Sequence, residues 1–439
     1  MFRVFYLLAI FGLILPTARL PQVNISYSDL FIFLALCVWV WQYIKHQGAD
    51  GWGIPMHILW VPSLVILIGG IMSSFGAVTP ISSVEITVKT VFVLTVWISM
   101  SLLMVQRGDL KLVLAVFIAA VCTTSAIGII DRLANTNIGD TLSGNTVIFY
   151  NRSTGTFGHP NELGFISSVA LPLTLGWMLQ DWRNRRRLWT FALFVGILAL
   201  CGLALFYSGS VAGWVSAVAS LGLFGLIWLR RASKGQWLAI ACLVLLAIGG
   251  GIYWISDATR QANLQFLLDY NLNRARNVTG PGRTRLLGQA YEVIAQDPFI
   301  GAGMDQTGTG NLEHSALVAN DYIHNTLIGG WLAGGLLVFL GLAVCYLVVF
   351  ITGLRALWWG FQKTDWFYVG LGACAIGWIL FDQTQPNLYH RYTWLTLAWM
   401  FGLGLQIRLS NIPGLGPARE TPEETWLPAQ APLRPPIQQ

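Results

Sequence analysis

At 439 residues, with 55% hydrophobic and only 10% charged side chains and a mean hydropathy of +0.61, the chain lies far from the roughly 25% charged content of a soluble domain. Its formal charge of +6 does not mark a nucleic-acid binder, because the basic residues sit in short turns between apolar runs. Composition excludes a soluble enzyme and leaves the bilayer as solvent, where helices satisfy their own backbone groups.

Apolar runs of membrane-crossing length recur at about 3–18, 28–44, 57–75, 86–105, 110–130, 160–179, 188–206, 211–229, 236–255, 324–352, 365–381 and 391–408. They predict an all-α polytopic membrane protein with about twelve transmembrane helices. The first run, behind Arg3, is read as an inserted helix rather than a cleaved signal, because the small residues near Thr17 and Ala18 form a poor cut site. The turns after the second, fourth, sixth, eighth and tenth runs carry Lys45, then Arg107 and Lys111, then Arg183 and Arg185 to Arg187, then Arg230, Arg231 and Lys234, then Arg355 and Lys363. The opposite short loops carry only Arg19, Arg132, Arg152 and Arg391. Basic loops stay inside, so both termini are expected in the cytoplasm of a bacterial inner membrane.

That reading divides the chain into a transmembrane domain, 1–410, and a proline-rich cytoplasmic tail, 411–439, expected to be disordered. A long periplasmic loop, 256–323, interrupts the domain, and within it Thr284 to Gln296 predicts a helix. Leu286, Leu287, Ala290, Tyr291 and Ile294 fall on one stripe of that helix, which suits it to lie in the membrane interface. The six cysteines fall inside apolar runs without CxxC spacing and read as core residues.

Exported arginines run against the orientation rule, and the notable set is Arg152, then Arg274, Arg276, Arg283 and Arg285 in the long loop, then Arg391 beside His390. Guanidinium forks bind phosphate through paired hydrogen bonds, so such a set suits a diphosphate at the head of a lipid, against a plainer role in contacting anionic headgroups. Pro160 fits the first turn of a helix, which puts Asn161 and Glu162 at its positive end, placed either to complement that end or to orient an arginine or a sugar hydroxyl. His324, followed by Asn325 at the entry to the tenth run, is a candidate general base. No metal is expected, since no ligand spacing joins His314 or Glu313 to His324. Gly301 to Gly310 lacks the phosphate-loop lysine and reads as turns.

Three motifs together resemble the O-antigen ligase family of bacterial membrane glycosyltransferases, which includes O-antigen and exopolysaccharide polymerases. They are RSTGTFGHPNELG at Arg152 to Gly164; Arg283 with the following helix and Asp297-Pro298-Phe299-Ile300-Gly301-Ala302-Gly303; and His324-Asn325 with Gly334-Gly335. The resemblance is strong from about Arg152 to Leu342. It implies transfer of a glycan from undecaprenyl diphosphate to an acceptor sugar hydroxyl at the periplasmic face, without cofactor or metal. The acceptor is lipid A–core for a ligase or a second lipid-linked glycan for a polymerase. Carried over by motif, Arg152 and Arg283 would hold the diphosphate and His324 would activate the acceptor, with Arg285, Asn161, Glu162, Asn325 and Arg391 as further contacts. His159 stands where relatives often have Asn. A competing reading is a small-solute, bicarbonate-type transporter, which needs ionisable groups deep in the bilayer, and Lys89 is nearly the only candidate for that.

Overall fold

The computed structural model describes residues 1–12, 27–45, 60–106, 109–134, 136, 138–139, 152–157, 159–231, 281–305, 323–384 and 398–399. The expected spans at 236–255 and 391–408, the latter apart from 398 and 399, and the tail from 411 onward lie outside the described residues. Among the described residues the structure is all helix, turn and loop, without a strand. In chain order the helices are α1 (Phe2–Gly12), α2 (Tyr27–Lys45), α3 (Trp60–Ser74), α4 (Pro80–Phe92), α5 (Ile98–Gln106), α6 (Leu110–Ala134), α7 (Pro160–Arg185), α8 (Leu188–Ser208), α9 (Val211–Leu229), α10 (Pro281–Gln296), α11 (Thr326–Lys363) and α12 (Trp366–Asp382). A π-helical turn, Val93–Trp97, joins α4 to α5.

Seven described helical segments are long and apolar enough to cross a bilayer. Lipid chains give helices no hydrophobic reason to associate, so close contact comes from small residues. A Cβ added to Gly370 of α12 would meet the Pro172 carbonyl of α7 at 2.4 Å, and one on Gly353 of α11 would meet Ala375 of α12 at 2.8 Å. The basic turns gather at one end of the bundle. There Arg183 donates to the Thr364 carbonyl, Arg231 lies 4.5 Å over the Phe361 ring and Arg3 pairs with Asp109 at 2.7 Å. Asp365 caps α12 at this end by accepting from Phe367 N at 3.1 Å, and burial raises its pKa above the usual carboxylate value against the pull of nearby Lys111 and Arg183.

The tenth run departs most from the expected span at 324–352. Its helix, α11, continues to Lys363, taking Arg355 with it, and is 38 residues long. Straight, it would measure about 57 Å, nearly twice the hydrocarbon thickness of a bilayer. It is not straight. Gly335 has φ 69° and ψ −168°, a backbone region populated almost only by glycine, and the helix folds back there. An added Cβ on Gly330 would meet Leu342 at 2.3 Å, a pair that a continuous helix would hold about 18 Å apart. Further down, the Thr326 side chain hydrogen-bonds Tyr346. The result is a hairpin with a short arm, 326–334, a long membrane-crossing arm, 336–363, and a crown at Gly335. The short arm's foot lies level with Tyr346, roughly 16 Å below the crown.

The glycine-rich segment after α10 straps that crown. Leu336 N donates to Pro298 O at 3.0 Å, Ala302 N to Leu332 O at 2.9 Å and Gly303 N to Ala333 O at 2.8 Å, while Trp331 Nε1 donates to Pro298 O at 2.9 Å. Gly301, at φ 77°, approaches so closely that its Cβ would lie 2.5 Å from Gly335 N. Beyond it Met304 N donates to Ser83 Oγ at 2.8 Å, tying the strap to the start of α4.

The expected helix in the long loop is present as α10, but its apolar stripe meets protein. Ala290 and Ile294 are buried with Ile323 and Leu332 of the hairpin, and Leu287 and Val293 pack beside them. Tyr291 is 52% exposed, outside that contact.

A side chain at Gly335 must adopt the glycine-only conformation and meet the Phe299 carbonyl 2.1 Å from its Cβ. Gly335→Ala is therefore expected to destabilise by about 3 kcal/mol or more, given strain plus overpacking. Gly329→Ala, whose added Cβ meets nothing within 4 Å, is expected to be neutral or slightly stabilising. Thermal unfolding of both variants in detergent checks the contrast.

Candidate active site

Of the sequence-derived candidates, Arg152, Asn161, Glu162, His324 and Asn325 have described side chains, and they lie away from the basic turns. Arg152 lies on a short segment held between two helix ends. Ser153 N donates to Tyr207 O at 2.9 Å near the end of α8, Ser153 Oγ donates to Gly128 O of α6 at 2.8 Å and Thr156 N donates to Thr124 Oγ1 at 2.9 Å. The guanidinium then spans two helix termini. Its Nε donates to Ser208 O at 2.7 Å, one of the carbonyls left over at the C-terminus of α8. Its Nη2 donates to Asn161 Oδ1 at 2.7 Å, in the first turn of α7. These two contacts fix the direction of the guanidinium between the end of α8 and the start of α7.

The first turn of α7 is built as Pro160 implies. His159 is the N-cap, and its Nδ1 accepts from Asn161 N at 3.1 Å, which is the job an asparagine does at that position. Glu162 stands in the same turn, where its charge complements the helix's positive end. Asn161 of that turn orients Arg152 by accepting from its Nη2. A helix N-terminus beside a fixed guanidinium favours a bound anion.

A short run of contacts leads from α7 to His324. Phe165, one turn into α7, packs on Phe381 of α12 with ring centroids 4.6 Å apart. Two residues on, Gln383 Oε1 accepts from Asn325 Nδ2 at 3.0 Å. Asn325 is the N-cap of the short arm, accepting from Ile328 N at 2.9 Å, and His324 precedes it, half-buried. The histidine thus stands at the foot of a re-entrant arm, rather than at the mouth of a span.

Arg283 and Arg285 occupy the first turns of α10 by backbone, and their side chains lie outside the described residues, as do Arg391, Arg274, Arg276, His390, His314 and Glu313. Among the described residues no three His, Cys, Asp or Glu side chains gather as a metal-ligand set. Lys89 pairs with Glu85 four residues earlier, both side chains well exposed. Among the described residues a deeply buried carboxyl is that of Asp382, 0% exposed, which accepts a hydrogen bond from the Tyr346 phenol. Sequence reasoning missed both. Asp382 falls one residue past the apolar run of α12, so it reads as a loop residue, whereas α11 overtops α12 and encloses it.

The O-antigen ligase family model matches residues 196–343. This segment is similar to the O-antigen ligase family. The O-antigen ligase match begins within α8, takes in Ser208, α9, α10 and the strap, and ends on the long arm of the hairpin just past Leu342. Among proteins of curated function, none matches the chain. Together with the membrane-crossing helices, this match implies a bacterial membrane protein.

His159→Ala removes the α7 cap and is expected to cost about 1 kcal/mol, whereas His159→Asn keeps an acceptor in place and costs a few tenths at most. Unfolding of the two variants in a mixed detergent–denaturant titration reads the difference.

Proposed function

We propose that the protein transfers a glycan from undecaprenyl diphosphate to an acceptor sugar hydroxyl, with lipid A–core as acceptor and the periplasm as the side of reaction. The observation that carries this reading is the fold-back of α11 within the O-antigen ligase segment, which sets His324 at the foot of an arm linked through Gln383, Phe381 and Phe165 to the anion-favouring start of α7. Collection of the basic turns at the other end supports an inner-membrane orientation with both termini cytoplasmic.

In this scheme Arg152 and Arg283 hold the donor's diphosphate, with Arg285 and Arg391 as further cationic contacts. His324 accepts the proton of the acceptor hydroxyl as its oxygen bonds to the anomeric carbon. The bond from that carbon to the diphosphate oxygen breaks in the same step, and undecaprenyl diphosphate leaves with the electron pair. Single displacement inverts the anomeric centre. Charge grows on the leaving oxygen in the transition state, so a guanidinium already fixed by Ser208 O and Asn161 stabilises that state more than the ground state. Asn161, Glu162 and Asn325 serve as further polar contacts to the substrates.

Purified protein supplied with a synthetic undecaprenyl-diphosphate oligosaccharide and lipid A–core is expected to form ligated product. His324→Ala and Arg283→Ala are each expected to lose at least 100-fold in rate, as removal of a general base or of one anion-stabilising donor does. A ladder of longer lipid-linked chains with a second lipid-linked unit would mark a polymerase. No product with either acceptor would shift the reading to solute transport, for which Asp382 is the enclosed ionisable group.

A further inference from the structure

The short arm of the hairpin is held in three places, and they are not equivalent. Its crown is strapped by backbone hydrogen bonds from the Pro298-to-Gly303 segment, and its outer side is covered by Ala290 and Ile294 of α10. Apolar contacts are non-directional, so the α10 face tolerates a small slide or rotation of the arm. The foot is different. There the contacts are side-chain hydrogen bonds, which fix angle as well as distance.

Asn325 uses both ends of its amide: Oδ1 caps the arm at Ile328 N, and Nδ2 reaches Gln383 Oε1 at 3.0 Å. One residue on, Thr326, 1% exposed, hydrogen-bonds the phenol of Tyr346 on the long arm. That phenol also donates to Asp382 at the end of α12. Tyr346 thus joins short arm, long arm and α12 at a single oxygen. Packing alone does not call for this arrangement. The Tyr346 ring already lies 5.0 Å from Trp378, so a phenylalanine would fill the space, and enclosing the Asp382 carboxylate among apolar helices works against folding unless its place is used.

We propose that Tyr346 and Gln383 are positioning residues that set the depth and orientation of His324 by holding the foot of the re-entrant arm. The inference rests on the transfer reaction proposed above for its kinetic consequence, but its geometric content stands apart from it. Neither residue is placed to touch the donor or the acceptor. Each acts on His324 through the one or two residues that follow it.

Full-length protein in lipid nanodiscs tests this with Tyr346→Phe, Gln383→Ala and Gln383→Glu, the last of which keeps an acceptor oxygen for Asn325. For Tyr346→Phe and Gln383→Ala, kcat is expected to fall at least tenfold, with the donor KM within twofold of wild type and the thermal midpoint within about 2 °C, while Gln383→Glu recovers most of the rate. In parallel, carbethoxylation of His324 followed by mass spectrometry is expected to speed up at least threefold in Tyr346→Phe as the foot loosens. Wild-type kcat in both variants overturns the inference and leaves the transfer reading intact. A loss of rate that tracks a fall in thermal midpoint makes the residues structural only and also overturns it. If wild type shows no transfer at all, the functional reading fails, and an unchanged His324 modification rate still overturns the inference whereas a faster one supports it.

Discussion

A helix in a bilayer can be longer than the bilayer only if it leaves, tilts or turns back. With 38 residues, α11 turns back, and Gly335 is where the backbone makes that possible. The conformation at this one residue is open to almost no side chain other than hydrogen, and the Phe299 carbonyl takes up the space where a Cβ would stand. The rest of the site follows from this turn. It lowers the foot of the short arm by roughly two and a half helical turns and thereby takes His324 and Asn325 from the rim to the level of Tyr346 and Asp382. It also creates the crown that the segment from Pro298 to Gly303 straps, so the long loop and the membrane bundle become one structure.

Around that hairpin the protein separates two electrostatic tasks. The basic end holds its arginines in ordinary ways, against a carbonyl, an aromatic face and a carboxylate. The opposite end holds Arg152 against a helix C-terminal carbonyl and an asparagine amide. These contacts hold the guanidinium in place beside the N-terminus of α7, whose positive end adds to the same field. The proposed transfer reaction draws on this corner for its donor and on His324, at the foot of the short arm, for its acceptor.

Much of this was legible in the amino-acid order. Hydropathy located most described helices to within a few residues, since a membrane-spanning run needs only length and apolarity. Pro160 marked the start of α7, and Leu287, Ala290 and Ile294 marked the buried side of α10. Periodicity does not say whether an apolar stripe faces lipid or protein, however, and α10 docks on the hairpin with Tyr291 turned out. The fold-back was hidden for a related reason. Both arms are uniformly apolar, and Gly334-Gly335 looks like any small-residue contact until the backbone reveals the turn. Asp382 escaped notice because burial there is set by the height of α11 over its neighbour, a tertiary property.

The hairpin, more than any single side chain, sets the position of His324, and a cross-link tests it directly. With the native cysteines replaced, Gly330→Cys and Leu342→Cys are introduced together, and the protein is exposed to a mild oxidant in membranes. The fold-back predicts rapid formation of an intramolecular disulfide, because the Cβ position of residue 330 already lies against the Leu342 side chain. A continuous helix separates the two positions by about 18 Å, so failure to cross-link in folded protein would contradict the account.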